Sequence, residues 1–503
     1  MSATSAVPPI SVARRRAITA GLLLGMSLGA LEATVIGTAM PTVIAALGGL
    51  AHYSWVFSAY LLTSTASVPI WGRLSDLYGR RRMYLLGVLA FLVGSVACGA
   101  ATTMIQLIAA RAVQGLGAGA IIPISQAVVG ELYTLAERPR MQAVFSGMWG
   151  VASITGPLIG GYITDALSWR WVFYINVPFG LLALAVIALA YPATRGRMPV
   201  RVDWLGAVLL FTGISLLLIG LGGDAGGRIA WITASVAVLI ALVLVERRHP
   251  EPILPIALLR TPVISRTFGV VFLSGFALFG GIAFIPLFVQ AVQGGSATEA
   301  GQVLTPLFLG WVVMSVVGAR ATVRIGYRIV ATIGGVLMTA GFAGLAALQA
   351  DSGRGLLYGA CFLAGCGMGC IMMSLLLAVQ HGVPRAQLGI ATSLNQFSRS
   401  IGAAVGVAAM GALLAHGVAG TTLPGLGEGG SQSLTLPPEM RAQFAAALHH
   451  VFLLGTAISA GCLAGMLVLP PVHFGEQRRS AGEEMIEAEM TTLDRDNEPV
   501  VVD

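Results

Sequence analysis

One carboxylate, Glu32, stands deep inside a long apolar stretch, residues 18–42. An ionised acid at the centre of a bilayer costs roughly 2.5–3.5 kcal/mol to insert, and burial favours the neutral form of a carboxyl group. Such a group can carry a proton if water reaches it from alternating sides. Fixed against an arginine, it would instead tie helices together. Arg111 is the cation that could meet it. Glu32 lies ~20 Å from the arginine-bearing start of its stretch. Arg111 lies ~10 Å into a stretch running the opposite way, so across a hydrocarbon layer ~30 Å thick the two share a depth. Spacing alone leaves open whether they touch. Arg399, ~11 residues into the stretch 388–416, is a second interior cation, with no acid assigned to it.

Other charges mark helix ends. Asp76 closes an apolar stretch, where the helix dipole disfavours an acid, and Arg80, Arg81 and Arg82 follow after the tight turn that Gly79 permits. Asp76 is therefore expected in a charge cluster with these arginines, with Gly72 one turn before it. Gly150, Gly156-Pro157 and Gly160-Gly161 interrupt the stretch 141–165. Proline removes a backbone hydrogen bond and glycine lets helices approach closely, so a bend or a packing seam is expected there.

Several chemistries are excluded. All 29 basic residues are arginine, so there is no phosphate-loop, Schiff-base or catalytic lysine. Gly115-x-Gly117-x-x-Ala120 fits the dinucleotide fingerprint only superficially, because it follows no strand and has no acid at the right distance. The five cysteines lie in apolar stretches; Cys366 and Cys370, one turn apart, are expected to pack rather than to bind metal. No cofactor, metal, nucleic-acid partner or catalytic set is expected.

The elements that must hold these groups follow from composition. Of the residues, 56% are hydrophobic and 10% charged, against about 25% charged in soluble proteins. Lipid is therefore the expected solvent. Fourteen apolar stretches are long enough to span it, giving an all-α polytopic membrane protein with 14 transmembrane helices. The first begins after Arg14–Arg16 and is too long for a signal peptide. With this count, most arginines fall on one side, which places both termini in the cytoplasm. An internal repeat pairs Gly115–Gly119 with Gly365–Gly369, Phe145-Ser146 with Phe397-Ser398, and Gly72–Arg81 with Ala319–Arg328. It implies two pseudo-symmetric six-helix bundles, 18–191 and 267–470, with two inserted helices in the linker 192–266. Residues 1–17 are expected as a cytoplasmic segment, 417–446 as an external loop, and 471–503 as an acidic cytoplasmic tail.

Gly72-Arg-Leu-Ser-Asp76-Leu-Tyr-Gly79-Arg80-Arg81, Leu107 to Arg111 with Gln114-Gly115-Leu-Gly117, and Gly150 through Gly156-Pro157 to Gly160-Gly161 resemble motifs of the major facilitator superfamily. Leu31-Glu32-Ala-Thr34 to Met40-Pro41, and Trp169-Arg170-Trp171-Val-Phe173 to Asn176-Val-Pro178, resemble its fourteen-span drug:proton antiporter branch. That branch usually has Asp where this chain has Glu32. The resemblance implies a monomer in the cytoplasmic (inner) membrane that exports amphiphilic small molecules or drugs in exchange for protons by alternating access. It implies proton coupling at Glu32, tuned by Arg111, and a latch of Gly72, Asp76, Gly79, Arg80 and Arg81. Gly150, Gly156, Pro157, Gly160 and Gly161 would form the antiporter bend. Gln126, Trp149, Asn395 and Arg399 are the candidates for lining the substrate cavity. The same machine could serve one endogenous metabolite, lipid or antibiotic, and a receptor or channel is the reading from another class.

Overall fold

The computed structural model describes residues 11–134, 137–192, 203–222, 225–249, 256–383, 387–418 and 436–470. The acidic tail 471–503, residues 1–10, the linker segments 193–202, 223–224 and 250–255, and 419–435 of the expected loop lie outside the described residues. Among the described residues the long elements are all helices: α1 Val12–Leu47, α2 Tyr53–Tyr78, α3 Arg80–Ala100, α4 Met104–Leu132, α5 Arg138–Ala166, α6 Trp171–Ala190, α7 Trp204–Gly222, α8 Ala225–Glu246, α9 Pro262–Val292, α10 Ala297–Ile325, α11 Tyr327–Ala346, α12 Arg354–His381, α13 Leu388–Gly417 and α14 Pro438–Leu467.

Twelve of these are long and apolar enough to cross a membrane; α2 and α5, of 26 and 29 residues, are not among the twelve. Their composition explains the difference from the fourteen expected. Both are rich in serine, threonine and glycine, and each is sandwiched between other helices, α2 between α4 and α13, α5 between α1 and α10. A helix covered by protein on two sides needs less apolar surface than one facing lipid. Outward faces show the opposite pattern. Leu86, Leu89, Val93 and Val96 form an exposed stripe on α3 at helical spacing, a surface that water would penalise and hydrocarbon does not.

Helix starts depart from expectation at both ends of the chain. Ser11 accepts a hydrogen bond from Arg14 N at 3.3 Å, so α1 begins inside the segment 1–17 expected to precede it. Residues 438–446, expected in an external loop, are the first turns of α14. Pro438 and Glu439 suit the first turn, the one lacking only an orphan donor and the other complementing the dipole. Trp169, just before α6, is 5% exposed and packs edge-on against Phe173.

The first six helices pack on one another, as do the last six, and α7 and α8 pair, with α7 lying against α2 and α13. The repeated glycines explain part of this packing. On α4, Gly115 and Gly119 meet the backbone of α2, and Gly117 meets that of α3. On α12, Gly365 and Gly369 meet α10, and Gly367 meets α11, in the same alternation. Gly79 and Gly326, with φ of 92° and 88°, turn the chain between α2 and α3 and between α10 and α11, a conformation that favours glycine.

Candidate functional site

Glu32 on α1 and Arg111 on α4 form an ion pair, and each side chain is 1% exposed. Arg111 is held further by Val56 O at 3.1 Å and Gln114 Oε1 at 2.6 Å, and its guanidinium lies 4.2 Å from the centre of the Tyr60 ring. The other carboxylate oxygen of Glu32 accepts from Asn176 Nδ2 at 2.9 Å. Ser95 Oγ closes the network, accepting from Gln114 at 2.7 Å and from Asn176 at 3.2 Å. Five helices thus converge on one buried pair. Both carboxylate oxygens of Glu32, and Nε and Nη1 of Arg111, have partners, as burial of ions requires. The expectation that the two charges share a depth holds, and they touch.

Sequence reasoning assigned no role to Gln114, Asn176, Ser95 or Tyr60. Gln114 and Asn176 lay within the quoted motifs, so their type and register were visible; Ser95 and Tyr60 carried no signal, because small and aromatic residues abound in such helices. A cavity of about 70 Å³ lies beside the pair, lined by Glu32 and Asn176 and by apolar side chains of α1, α5 and α6. That volume has room for a few water molecules.

The antiporter-bend residues form a seam. The helix stays continuous through Pro157. A side chain at Gly160 would lie 2.6 Å from Val35 Cγ1 and 2.9 Å from Val35 O on α1, and one at Gly161 would meet the α10 backbone at Ala297 and Thr298. Gly156 faces Thr34 of α1, and Gly150 faces Val312 of α10. Gly160→Ile should therefore push α5 off α1 and cost about 1–3 kcal/mol; an unchanged thermal unfolding curve would show the seam to be slack.

At the arginine-rich end, Arg80 reaches Asp76 Oδ1 at 3.4 Å, as expected for a cluster. Its shorter contact, 2.7 Å, is to Glu131 of α4, which also accepts from Tyr191 at 2.8 Å. Arg81 bonds Ala188 O. These contacts all lie within the first six helices, and the space a side chain at Gly72 would enter is open.

The polar ties between the first and last six helices described next sit toward the opposite end. Asp165, near the end of α5, accepts from Ala297 N at 3.1 Å and from Thr298 N and Oγ1 at 2.7 and 2.5 Å. It caps α10, a favourable place for a carboxylate. Gln290, in the π turn Phe288–Val292 that ends α9, donates to Thr38 O at 2.8 Å. Tyr53 donates to Ala283 O. None of Asp165, Gln290 or Tyr53 was expected to matter.

Of the cavity candidates, Arg399 bonds Gln396, Asn395 is buried, and Gln126 and Trp149 are half-buried. Among the described residues no hydrogen bond joins any two of the four.

A set of membrane-length helices around a buried ion pair is the form of a membrane carrier. The model of the Major Facilitator Superfamily matches residues 22–407. The chain belongs to that superfamily; it is a multi-pass membrane transporter of small molecules, not an enzyme. It is 38% identical to the multidrug transporter protein MdtP of Bacillus subtilis over 416 residues, 80% of this chain and 75% of that protein. It is 36% identical to multidrug resistance protein 3 of Bacillus subtilis, over 78% of each. Among solved structures, it is similar in fold to a bacterial homologue of the lysosomal transporter Spinster in an inward-facing, unoccupied conformation, with a TM-score of 0.66, 16% identity, and coverage of 91% of this chain and 97% of that one.

Proposed function

We propose that the protein is a proton-coupled antiporter that exports amphiphilic small molecules from the cytoplasm by alternating access. The observation that carries this reading is the Glu32–Arg111 pair, an acid in the membrane interior wired to five helices. Names of the relatives, multidrug transporters, support the efflux direction and the breadth of cargo.

The geometry suggests how a proton does work. Ionised Glu32 binds α1 to α4 through Arg111 and to α6 through Asn176. A proton on Glu32 removes its charge and weakens both bonds, while Arg111 keeps Val56 O, Gln114 and the Tyr60 ring on α2 and α4. Helix α1 is then free to shift. It carries Val35 against Gly160 and Thr38 against Gln290, so the shift reaches both α5 and the seam with α9.

Fourteen helices cross the membrane, α2 and α5 included. The alternating contacts of the α4 and α12 glycines support two pseudo-symmetric bundles. The arginine-rich end, with both termini, faces the cytoplasm, the membrane is the cytoplasmic one, and the transporter acts as a monomer. The ties of Asp165, Gln290 and Tyr53 close the external face in this conformation. When that face opens, the arginine-rich ends close, with Gly72 receiving the partner helix and Asp76, Arg80 and Arg81 latching it.

Purified protein in liposomes, given a pH gradient and a panel of amphiphilic dyes, tests the function. Gradient-driven dye accumulation is expected; dye flux with no response to the gradient and no counterflow would mean a channel. Metabolite profiling of a deletion strain separates a dedicated metabolite exporter from a broad one. The external gate has its own test. Asp165→Ala is expected to raise labelling of a cysteine placed at Ala300 by an impermeant maleimide about tenfold, the worth of a charge-assisted hydrogen bond. The five native cysteines are buried and add little background. Equal labelling with and without Asp165 would remove it from the gate.

A further inference from the structure

Three charged side chains lie in the described helices away from their ends: Glu32, Arg111 and Arg399. The first two neutralise each other. Arg399 meets no acid among the described residues. Its guanidinium bonds Gln396 Oε1 and approaches Met372 Sδ of α12 at 2.8 Å. Helices α9 to α13 hold no interior carboxylate. Between residues 262 and 417 the only acids are Glu299, in the first turn of α10, and Asp351, in the turn before α12, and Glu299 is already held by Arg354 at 2.7 Å.

The placement of Arg399 is as telling as its lack of an acid. One side of α13 packs on α7 through Phe397, Ile401 and Ala408. Another packs on α9, where Ser398 donates to Phe268 O at 2.6 Å. Ala404 O accepts from Ser58 of α2 at 3.2 Å. Arg399 leaves the helix away from all three, toward α12, and the neighbouring Gln396 is exposed. A guanidinium facing bare hydrocarbon is strongly disfavoured, so a group placed this way lines a polar path.

We propose that Arg399, with Gln396, is the docking point for an anionic group of the cargo: a carboxylate, sulfonate or phosphate borne on an apolar body. This deepens the transport reading and rests on it. A guanidinium presents a planar fork that matches an oxyanion. Gln396 spends its oxygen on Arg399, which leaves its amide N–H groups to donate alongside. The pair recognises charge and ignores the shape of the apolar remainder, which suits a transporter of varied cargo. It also balances charge: with Glu32 and Arg111 paired, an anionic cargo brings the net interior charge to zero.

The test uses three dansyl probes on one undecyl chain, ending in a carboxylate, its methyl ester or a trimethylammonium group. Counterflow into proteoliposomes is measured for the wild-type protein, Arg399→Gln and Arg399→Lys, with thermal unfolding as the check on folding. The wild-type protein is expected to favour the carboxylate by about tenfold or more in kcat/KM. Arg399→Gln should raise KM for the carboxylate by about that factor and leave the ester unchanged, and Arg399→Lys should recover part of the preference. Equal losses on all three probes, or a wild-type preference for the ammonium, would overturn the anion site. Counterflow of the ester without any charge preference sinks this inference and leaves transport standing. No counterflow of any probe by well-folded wild-type protein sinks both. If Arg399→Gln does not fold, the lysine variant and the wild-type preference still decide.

Discussion

Glu32→Gln is expected to abolish accumulation driven by a pH gradient and, in the protein that stays folded despite the unpaired Arg111, to leave cargo exchange across the membrane intact. Glutamine keeps the size of the side chain and an oxygen that can accept from Arg111, but it cannot bind and release a proton near neutral pH. If protonation of Glu32 is what frees α1 from α4 and α6, the variant has no signal to couple, yet its halves can still rock with cargo bound. Proteoliposomes separate the two: the gradient-driven component should fall to that of empty vesicles, while counterflow persists. Full retention of gradient-driven accumulation would mean that the proton passes elsewhere. Loss of counterflow as well, in folded protein, would make the pair a structural strut.

The second large effect concerns stability. Removing one partner of a buried ion pair leaves an uncompensated charge and costs about 3–5 kcal/mol, whereas replacing both with apolar or neutral groups is often close to neutral. Arg111→Met should therefore destabilise the protein strongly, since it strips Glu32 of its counter-charge and removes the guanidinium hydrogen bonds to Val56 O and Gln114 Oε1. Adding Glu32→Gln to Arg111→Met should restore most of the loss, although the double variant will not couple protons. Thermal unfolding of the wild type, both single variants and the double variant closes the cycle. Additive losses would show that the pair does not act as a unit, despite its contact. The two experiments complement each other, because the first reads what the acid does and the second what holds it in place.

The helical class, the lone interior acid and the cation it meets were legible in the residues, for one reason. Hydrocarbon tolerates few charges, so each charge inside an apolar stretch stands out, and apolar length marks twelve of the fourteen long helices as able to span, α2 and α5 being the exceptions. Helix ends were less legible. Pro438 and Glu439 could start α14 where the Gly- and Ser-rich run before them suggested only loop, since local capping chemistry is weak beside hydropathy. The charge cluster between α2 and α3 was half visible: Asp76 and Arg80 are four residues apart, but Glu131, more than fifty residues on, makes the shorter contact.

Sequence by itself determined the solvent of this protein, its helical class, the family motifs and the three interior charges. Only the tertiary structure decided which of them pair. It brought Glu32, Arg111, Gln114, Ser95 and Asn176 together from four helices, set Asp165 over the start of α10, and left Arg399 facing α12 with no acid against it among the described residues. The reason is physical. Lipid selects for apolarity along each helix regardless of its neighbours, whereas ion pairs, caps and close glycine contacts depend on rotation and register between helices, which small side-chain differences set only once the helices have packed.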